Sequence, residues 1–342
     1  MPDVMSQSVK LSIVIPAPGD TQALEETLVS VLENRPDHCE VIVALGCEYA
    51  DPWNIGDEVQ FVRAEGLGLV ACVNAGIAAS TGSVVHLLAA GWKATPGWTE
   101  AALVRLRDSR VGAVAAVAVQ AALPEQVAAV GIRLSWGGRR IVLGSDSRAW
   151  AEREGTRRVP FSPVTGPALE AGFWRAEVVR PLGFSAPCGD LYADADKAVE
   201  LAAAGLVTVL EQQAVVVAPE QTQKRPGAFM EGLQRERLYW RSLAGRSLVA
   251  SLPLHAWEIV RHAVLAAPLG TLPMLLGRLV ATLQFGSYLS RYRQLKTLLQ
   301  MATARAAEPA QEEPPSIRID AAHAGLAAPH RRPAEAPLRR SA

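Results

Sequence analysis

Apolar and polar positions follow two different periods along the first 220 residues. KLSIVIPA (10–17) is a β-branched run closing at Pro16, which reads as a buried first strand. Pro18-Gly19-Asp20-Thr21 is a turn that supplies an N-cap. Leu24, Leu28, Val31 and Leu32 then recur at helical spacing up to Glu33. Arg35-Pro36-Asp37 stops that helix, CEVIVAL (39–45) is a second strand, and 59–63 is a short third one. A helix follows Gly66-Leu67-Gly68 and runs to Ala79, after which Gly82 opens a fourth strand, Val84 to Leu88. Such short alternation predicts an α/β domain with a mostly parallel sheet and right-handed crossovers.

The pattern resumes with a helix over 99–107 and an apolar strand over 112–119. Gly137-Gly138 carries hairpin chemistry and is followed by a polar loop, and 161–173 is punctuated by Pro and Gly. A helix from about Asp194 to Ala204 stops at Gly205, and 207–217 is strand-like. Residues 227–299 read as helical throughout, while beyond 304 the Ala, Pro, Glu and Arg show no periodicity. The chain thus divides into a flexible N-terminus (1–9), an α/β domain (10–225), a helical extension (226–302) and a disordered tail (303–342).

Composition narrows the function. Lys plus Arg number 34 and Asp plus Glu number 34, a balance that favours no polyanionic partner and excludes nucleic acid as the expected ligand. Cys39, Cys47, Cys72 and Cys188 are scattered with no metal-ligand spacing, which fits a reducing compartment without structural zinc. MPDVMSQSVK has no apolar core of a secretory signal, and Pro268, Gly270, Pro273, Gly277 and Arg278 interrupt the most apolar stretch. No run approaches the roughly 20 residues that cross a bilayer, so a cytoplasmic protein is expected. Residues 255–299 combine apolar stripes with Arg261, Arg278, Arg291, Arg293 and Lys296. Two readings stand for them: peripheral contact with the inner face of a membrane, or burial against a neighbouring domain or a second subunit of a homo-oligomer.

In their order and spacing these motifs resemble the family 2 glycosyltransferases of the GT-A fold, over residues 10 to 220. The pieces are LSIVIPA, Thr27-Leu28-Val29-Ser30-Val31-Leu32, EVIVA, Asn74-Ala75-Gly76-Ile77 with Gly82, and Pro96-Gly97-Trp98. Gly172-Phe173-Trp174-Arg175, Leu182-Gly183-Phe184 and Asp194-Ala195-Asp196 complete the set. The resemblance implies a nucleotide-diphospho-sugar-transferase-like sheet, and transfer of a sugar from a nucleotide-sugar donor to a glycan or lipid-linked acceptor. A surface polysaccharide or glycolipid precursor would suit as the acceptor. It also implies Mn or Mg bound by an Asp-x-Asp at the end of the fourth strand, and two Asp at the end of the second.

Those carboxylates are absent. Leu45 and Gly46 end the second strand, and Ala89-Ala90-Gly91 ends the fourth. A hard cation needs oxygen ligands that alanine and glycine side chains do not offer, so no residue is assigned as a metal ligand. By the resemblance, the donor would lie along Pro16, Ala17, Leu45, Asn74, Gly76, Ala89, Gly91 and Lys93. The acceptor would lie by Trp98, Phe173, Trp174 and Asp190.

Asp194, with Asp196 beside it, stands where the family places its catalytic base, and a first-turn helix cap is the alternative. Lys93 is either a point charge for a diphosphate or a solvated lysine. His86, inside an apolar strand, reads as a satisfied core histidine. Gln234 and Arg237 lack the Trp of a processive synthase motif, Leu238 standing in its place. Two functions remain: an inverting transferase with little metal dependence, or a catalytically inactive binding or scaffold protein that keeps the fold.

Overall fold

Strand β1 (Leu11–Ala17) is buried along its whole length and pairs on both edges. Helix α1 (Thr21–Asn34), strand β2 (Glu40–Leu45), strand β3 (Val59–Arg63), helix α2 (Leu69–Ala79) and strand β4 (Val84–Leu88) follow it. The four strands pair in parallel in the order β3-β2-β1-β4. The computed structural model describes residues 10–66, 68–124, 126–144, 151–153, 156–158, 163–220 and 226–307. The expected flexible N-terminus and nearly all of the expected tail lie outside the described residues.

Local chemistry explains both crossovers. The Asp20 carboxylate accepts the Ala23 N–H at 3.0 Å and starts α1, which buries Leu24, Leu28 and Val31. Helix α2 has no side-chain cap of its own and begins at Gly68, whose φ of +94° suits glycine. Its Gly76 lies so close to β1 that a Cβ there would stand 2.2 Å from Val14 Cγ1. The Asn-x-Gly of the sequence is therefore a helix-to-sheet packing requirement.

Strand β5 (Lys93–Ala94), helix α3 (Glu100–Arg105), strand β6 (Val111–Gln120) and strand β7 (Val127–Ala129) come next. The Gly137-Gly138 turn closes a hairpin of β8 (Ile132–Leu134) and β9 (Arg140–Val142). A second hairpin joins β10 (Ala151–Arg153) to β11 (Thr156–Arg158). Then follow β12 (Ala171–Arg175), α4 (Ala176–Val179), a 3₁₀ turn at Ala186–Cys188, α5 (Ala193–Ala203) and β13 (Val207–Ala218). The full sheet runs β3-β2-β1-β4-β12-β6-β13-β5, with β7 on β6. It is mostly parallel, as expected, but β12 enters antiparallel between β4 and β6.

His86 of β4 is fully buried between the two halves of the sheet. Its Nε2 accepts the Trp98 indole N–H at 3.0 Å, which leaves Nδ1 to donate to the Gly172 carbonyl at 3.2 Å. The Phe173 ring stacks on it at 3.8 Å. Burial pushes its pKa down to about 3, against a weaker upward pull from that carbonyl, so the ring is neutral. This is the satisfied core histidine expected from the sequence.

The helical extension consists of α6 (Ala228–Arg241), α7 (Leu248–Leu265), α8 (Thr271–Leu283) and α9 (Phe285–Ala307). Residues Met1–Arg305 form one compact unit, so these helices pack as part of the α/β body. Helices α6 and α8 cross through glycines: a Cβ on Gly277 would meet the Phe229 carbonyl at 2.0 Å, and one on Gly232 the Met274 carbonyl at 2.1 Å. Buried ion pairs fasten the extension to α5. Asp196 accepts from Arg241 at 2.7 Å and from Arg291 at 3.0 Å, and Arg291 also reaches Glu200 at 2.8 Å. Burial pulls the Asp196 carboxyl up, but the Arg241 hydrogen bonds and the Arg291 charge outweigh it and hold it below the ordinary range. All four cysteines are free.

Two outcomes are expected. Asp196→Asn leaves the buried Arg241 without its anion and Arg291 with Glu200 alone, and should cost about 3 kcal/mol or more in urea unfolding; a loss under about 1 kcal/mol would refute this role. His86 contributes stability that is fully present above pH 6.5 and is lost as pH falls toward 3, because the unfolded ring takes a proton that the folded ring refuses. This ring's share of the unfolding free energy should therefore fall by roughly 1 kcal/mol per pH unit below 6.5, and His86→Gln should remove that share between pH 6.5 and 5, leaving the similar share of His262. An unchanged slope in the variant would contradict the assignment.

Candidate functional site

The carboxyl ends of β1, β2 and β4 open on one side of the sheet, where open α/β folds place their ligands. Here the backbone donors of Ala89, Ala90, Gly91 and Ala94 are all taken. Ala89 N–H donates to the Glu170 carbonyl at 2.8 Å and Ala90 N–H to the Pro16 carbonyl at 3.1 Å. Gly91 N–H donates to Ala23 O and to Thr27 Oγ1, and Ala94 N–H to Ser30 Oγ. The Thr-x-x-Ser of α1 thus holds the turn after β4. At the other strand ends, Gly46 N–H donates to Ala17 O and Ala64 N–H to Leu45 O, both at 2.9 Å.

No side-chain oxygen stands at positions 89, 90 or 91, and among the described residues no three His, Cys, Asp or Glu converge as a metal site. The residues present do not fit the divalent cation that the resemblance implies. Asp20 caps α1, so it does not replace the missing ligands. Asp190 accepts the Val70 N–H at 2.9 Å and so supplies, from 120 residues away, the cap that α2 lacks. Asn74 exchanges two hydrogen bonds with the Phe184 backbone, at 2.7 and 2.9 Å, and Gly76 packs on β1. Lys93 forms a surface ion pair with Glu26 at 3.0 Å, half exposed and directed toward α1.

Asp194 is completely buried in the first turn of α5. The Ala195 N–H donates to its Oδ1 at 2.7 Å, and Arg140 Nε to the same oxygen at 2.8 Å. A second Arg140 nitrogen reaches Oδ2, which makes the contact two-pronged. Asp194 is not the N-cap of α5, a place taken by Tyr192. Burial alone would lower the pKa of Arg140, but the Asp194 charge and hydrogen bonds outweigh it and hold it above the ordinary arginine value. Glu170 lies within electrostatic reach of both. Burial pushes its carboxyl up, and the Arg140 charge opposes that shift.

Sequence reasoning missed Arg140 and Glu170. Arg140 sits two residues past the Gly-Gly turn on β9, where an arginine on a hairpin is ordinarily solvated. Glu170 immediately precedes β12, a strand that the apolar pattern did not announce. Three expectations are corrected. Trp98, Phe173 and Trp174 have no exposed surface, so none offers a ring face to a sugar. Trp98 and Phe173 pack on His86, and Trp174 meets Phe184 edge-on.

Neither a protein-family model nor a curated protein sequence matches the chain. Solved structures do. Residues 1–349 of TarS from S. aureus superpose with a TM-score of 0.52 at 11% identity, covering 86% of this chain and 92% of that one. The same protein in complex with UDP gives 0.51 at 12% identity, over 85% and 91%. A mannosyltransferase from Pyrobaculum calidifontis, solved with GDP-Man and Mn2+, gives 0.45 at 17% identity, over 86% of each chain. At these identities the likeness to TarS bears on architecture: the chain carries the GT-A glycosyltransferase fold.

Proposed function

We propose that the protein is a glycosyltransferase similar to family 2. It transfers a sugar from a nucleotide-sugar donor to a glycan or lipid-linked acceptor with inversion, and it does so without a divalent cation. The observation that supports this is the nearly buried cation held against Asp194. Arg140 is only 11% exposed, grips Asp194 with two nitrogens and acts electrostatically on Glu170. A guanidinium fork fits two oxygens of a diphosphate as well as those of a carboxylate, and a fixed cation stabilises the charge that grows on a departing diphosphate.

The chemistry then follows from competition for one arginine. A diphosphate that draws Arg140 away frees Asp194, whose carboxylate takes the proton from the acceptor hydroxyl. The acceptor oxygen bonds to the anomeric carbon as its bond to the diphosphate oxygen breaks, and the diphosphate leaves with the electron pair. Asp196 takes no part, since Arg241 and Arg291 saturate it.

A second reading has its own observation. The N–H groups of Ala89, Ala90, Gly91 and Val70 are all satisfied within the protein, as is Asp194. That is how a donor site closes when the fold is kept for binding or scaffolding alone.

Calorimetric titration with UDP- and GDP-sugars separates the two. The transferase reading expects binding that is equal in Mn2+ and in EDTA, and that weakens about tenfold or more in Arg140→Gln. It expects Asp194→Asn, which gives up its hold on Arg140, to bind donor at least as tightly as the parent while transfer falls about a hundredfold or more. Thermal melts of both variants report whether they remain folded. Absence of donor binding in either buffer favours the scaffold, and binding seen only with Mn2+ refutes the role given to Arg140.

A further inference from the structure

Helices α7 and α8 are built inside out. The residues that α7 buries are Ser251, His255 and His262, and the one charged residue of α8, Arg278, is 6% exposed. Arg278 donates to Glu236 of α6 at 2.6 Å and contacts His262, while His255 contacts Glu236 at 3.0 Å. Beside Arg278, α8 buries only Met274, Gly277 and Ala281, and the outward faces of both helices carry the larger share of apolar residues. Val249 is 86% exposed, Trp257 62%, Leu269 of the connecting turn 89% and Leu283 77%, with Leu272, Leu276 and Leu279 between them. In water this reverses the polarity of a surface helix.

We infer that the α7–α8 hairpin, together with the exposed face of α9, is seated in one leaflet of an anionic lipid bilayer. Leucines turned outward from a polar, ion-paired interior satisfy the helices only where the surroundings are apolar. The glycine crossing of α6 on α8 is the packing used where lipid removes the hydrophobic drive between helices. Helix α8 has 13 residues, about 20 Å of rise, against a hydrocarbon thickness of about 30 Å. Among the described residues no helix is long and apolar enough to cross a membrane, so the hairpin enters one leaflet and returns.

Charge selects lipid over a second copy of the chain. Residues 248–307 hold six Lys or Arg and a single acid, Glu258, which Arg261 occupies at 2.9 Å. On α9 the exposed Phe285, Leu289 and Tyr292 share helical spacing with the exposed Arg293 and Lys296. That places two aromatic rings and a leucine at the leaflet edge and two cations at headgroup level. Two copies meeting face to face would oppose like charges. Residues 308–342 contain only Ile317, Ile319, Leu326 and Leu338 as large aliphatics, too few to cover this surface. The inference stands on these helices and does not require the cleft to be catalytic.

Flotation of the full-length protein with phosphatidylcholine vesicles, with and without phosphatidylglycerol, tests it. The protein should float with the anionic vesicles and stay bound in high salt. Lipids brominated on the acyl chain should quench fluorescence that is absent in Trp257→Phe. The double variant Leu269→Asp, Leu272→Asp should lose about tenfold or more in partitioning with an unchanged thermal melt, whereas Trp53→Asp, exposed elsewhere, should not change it. Protein that stays in the aqueous fraction with both vesicles overturns the inference. So does a dimer in sedimentation that the hairpin variant dissociates without any vesicle binding, and so does vesicle binding that appears only after residues 308–342 are removed.

Discussion

A carboxylate with no access to water stays an anion only where cations are built around it, and Asp196 is the carboxylate on which this structure turns. Its two arginines come from different helices, Arg241 from the end of α6 and Arg291 from the first third of α9. One residue of α5 therefore fixes two elements that the chain reaches 45 and 95 residues later. Asp194 lies two residues before it on the same helix, so the placement of the cleft and the docking of the helical extension are one event. Lys197 and Glu200 pair on the next turn of α5 and extend the same buried network toward Arg291.

The strand ends are tied together by the protein's own polar groups. Strand-end amides bond to neighbouring carbonyls and to the hydroxyls of Thr27 and Ser30, a carboxylate caps α2, and a guanidinium occupies the carboxylate of α5. In most GT-A proteins, by the resemblance, a metal ion would organise this region from outside the covalent chain. Here protein side chains and amides bond to one another around the strand ends, with alanine and glycine at positions 89 and 91.

Much of the architecture was legible because buried parallel strands read as unbroken apolar runs and glycine marks close approaches. Gly76 was visible as a motif before its contact with Val14 explained it. Strand β12 was not, because Gly172 and the flanking prolines disguise a segment whose partners, β4 and β6, are distant in sequence. Trp98 was misjudged for a related reason. A tryptophan after a Pro-Gly turn looks the same whether it faces solvent or core, and its acceptor on His86 decides the matter. Arg140 was invisible because its partner lies 54 residues away. For α7 and α8, hydropathy revealed two faces, but only Glu236 on another helix determined which face turned inward.

The β8–β9 hairpin rests on the helical extension at its turn. The Gly137 carbonyl meets His255 Nδ1 at 2.9 Å, a Cβ on Gly137 would stand 2.8 Å from the Leu254 carbonyl, and one on Gly138 would stand 2.9 Å from Tyr239 Cβ. Two residues beyond that turn, the same hairpin delivers Arg140 to Asp194. The α/β part is therefore not a detachable module: a chain cut at residue 226 would keep every strand of the sheet yet lose the floor under the arginine. Inheritance has to treat the two parts as one unit, because a change of helix packing is also a change of cleft.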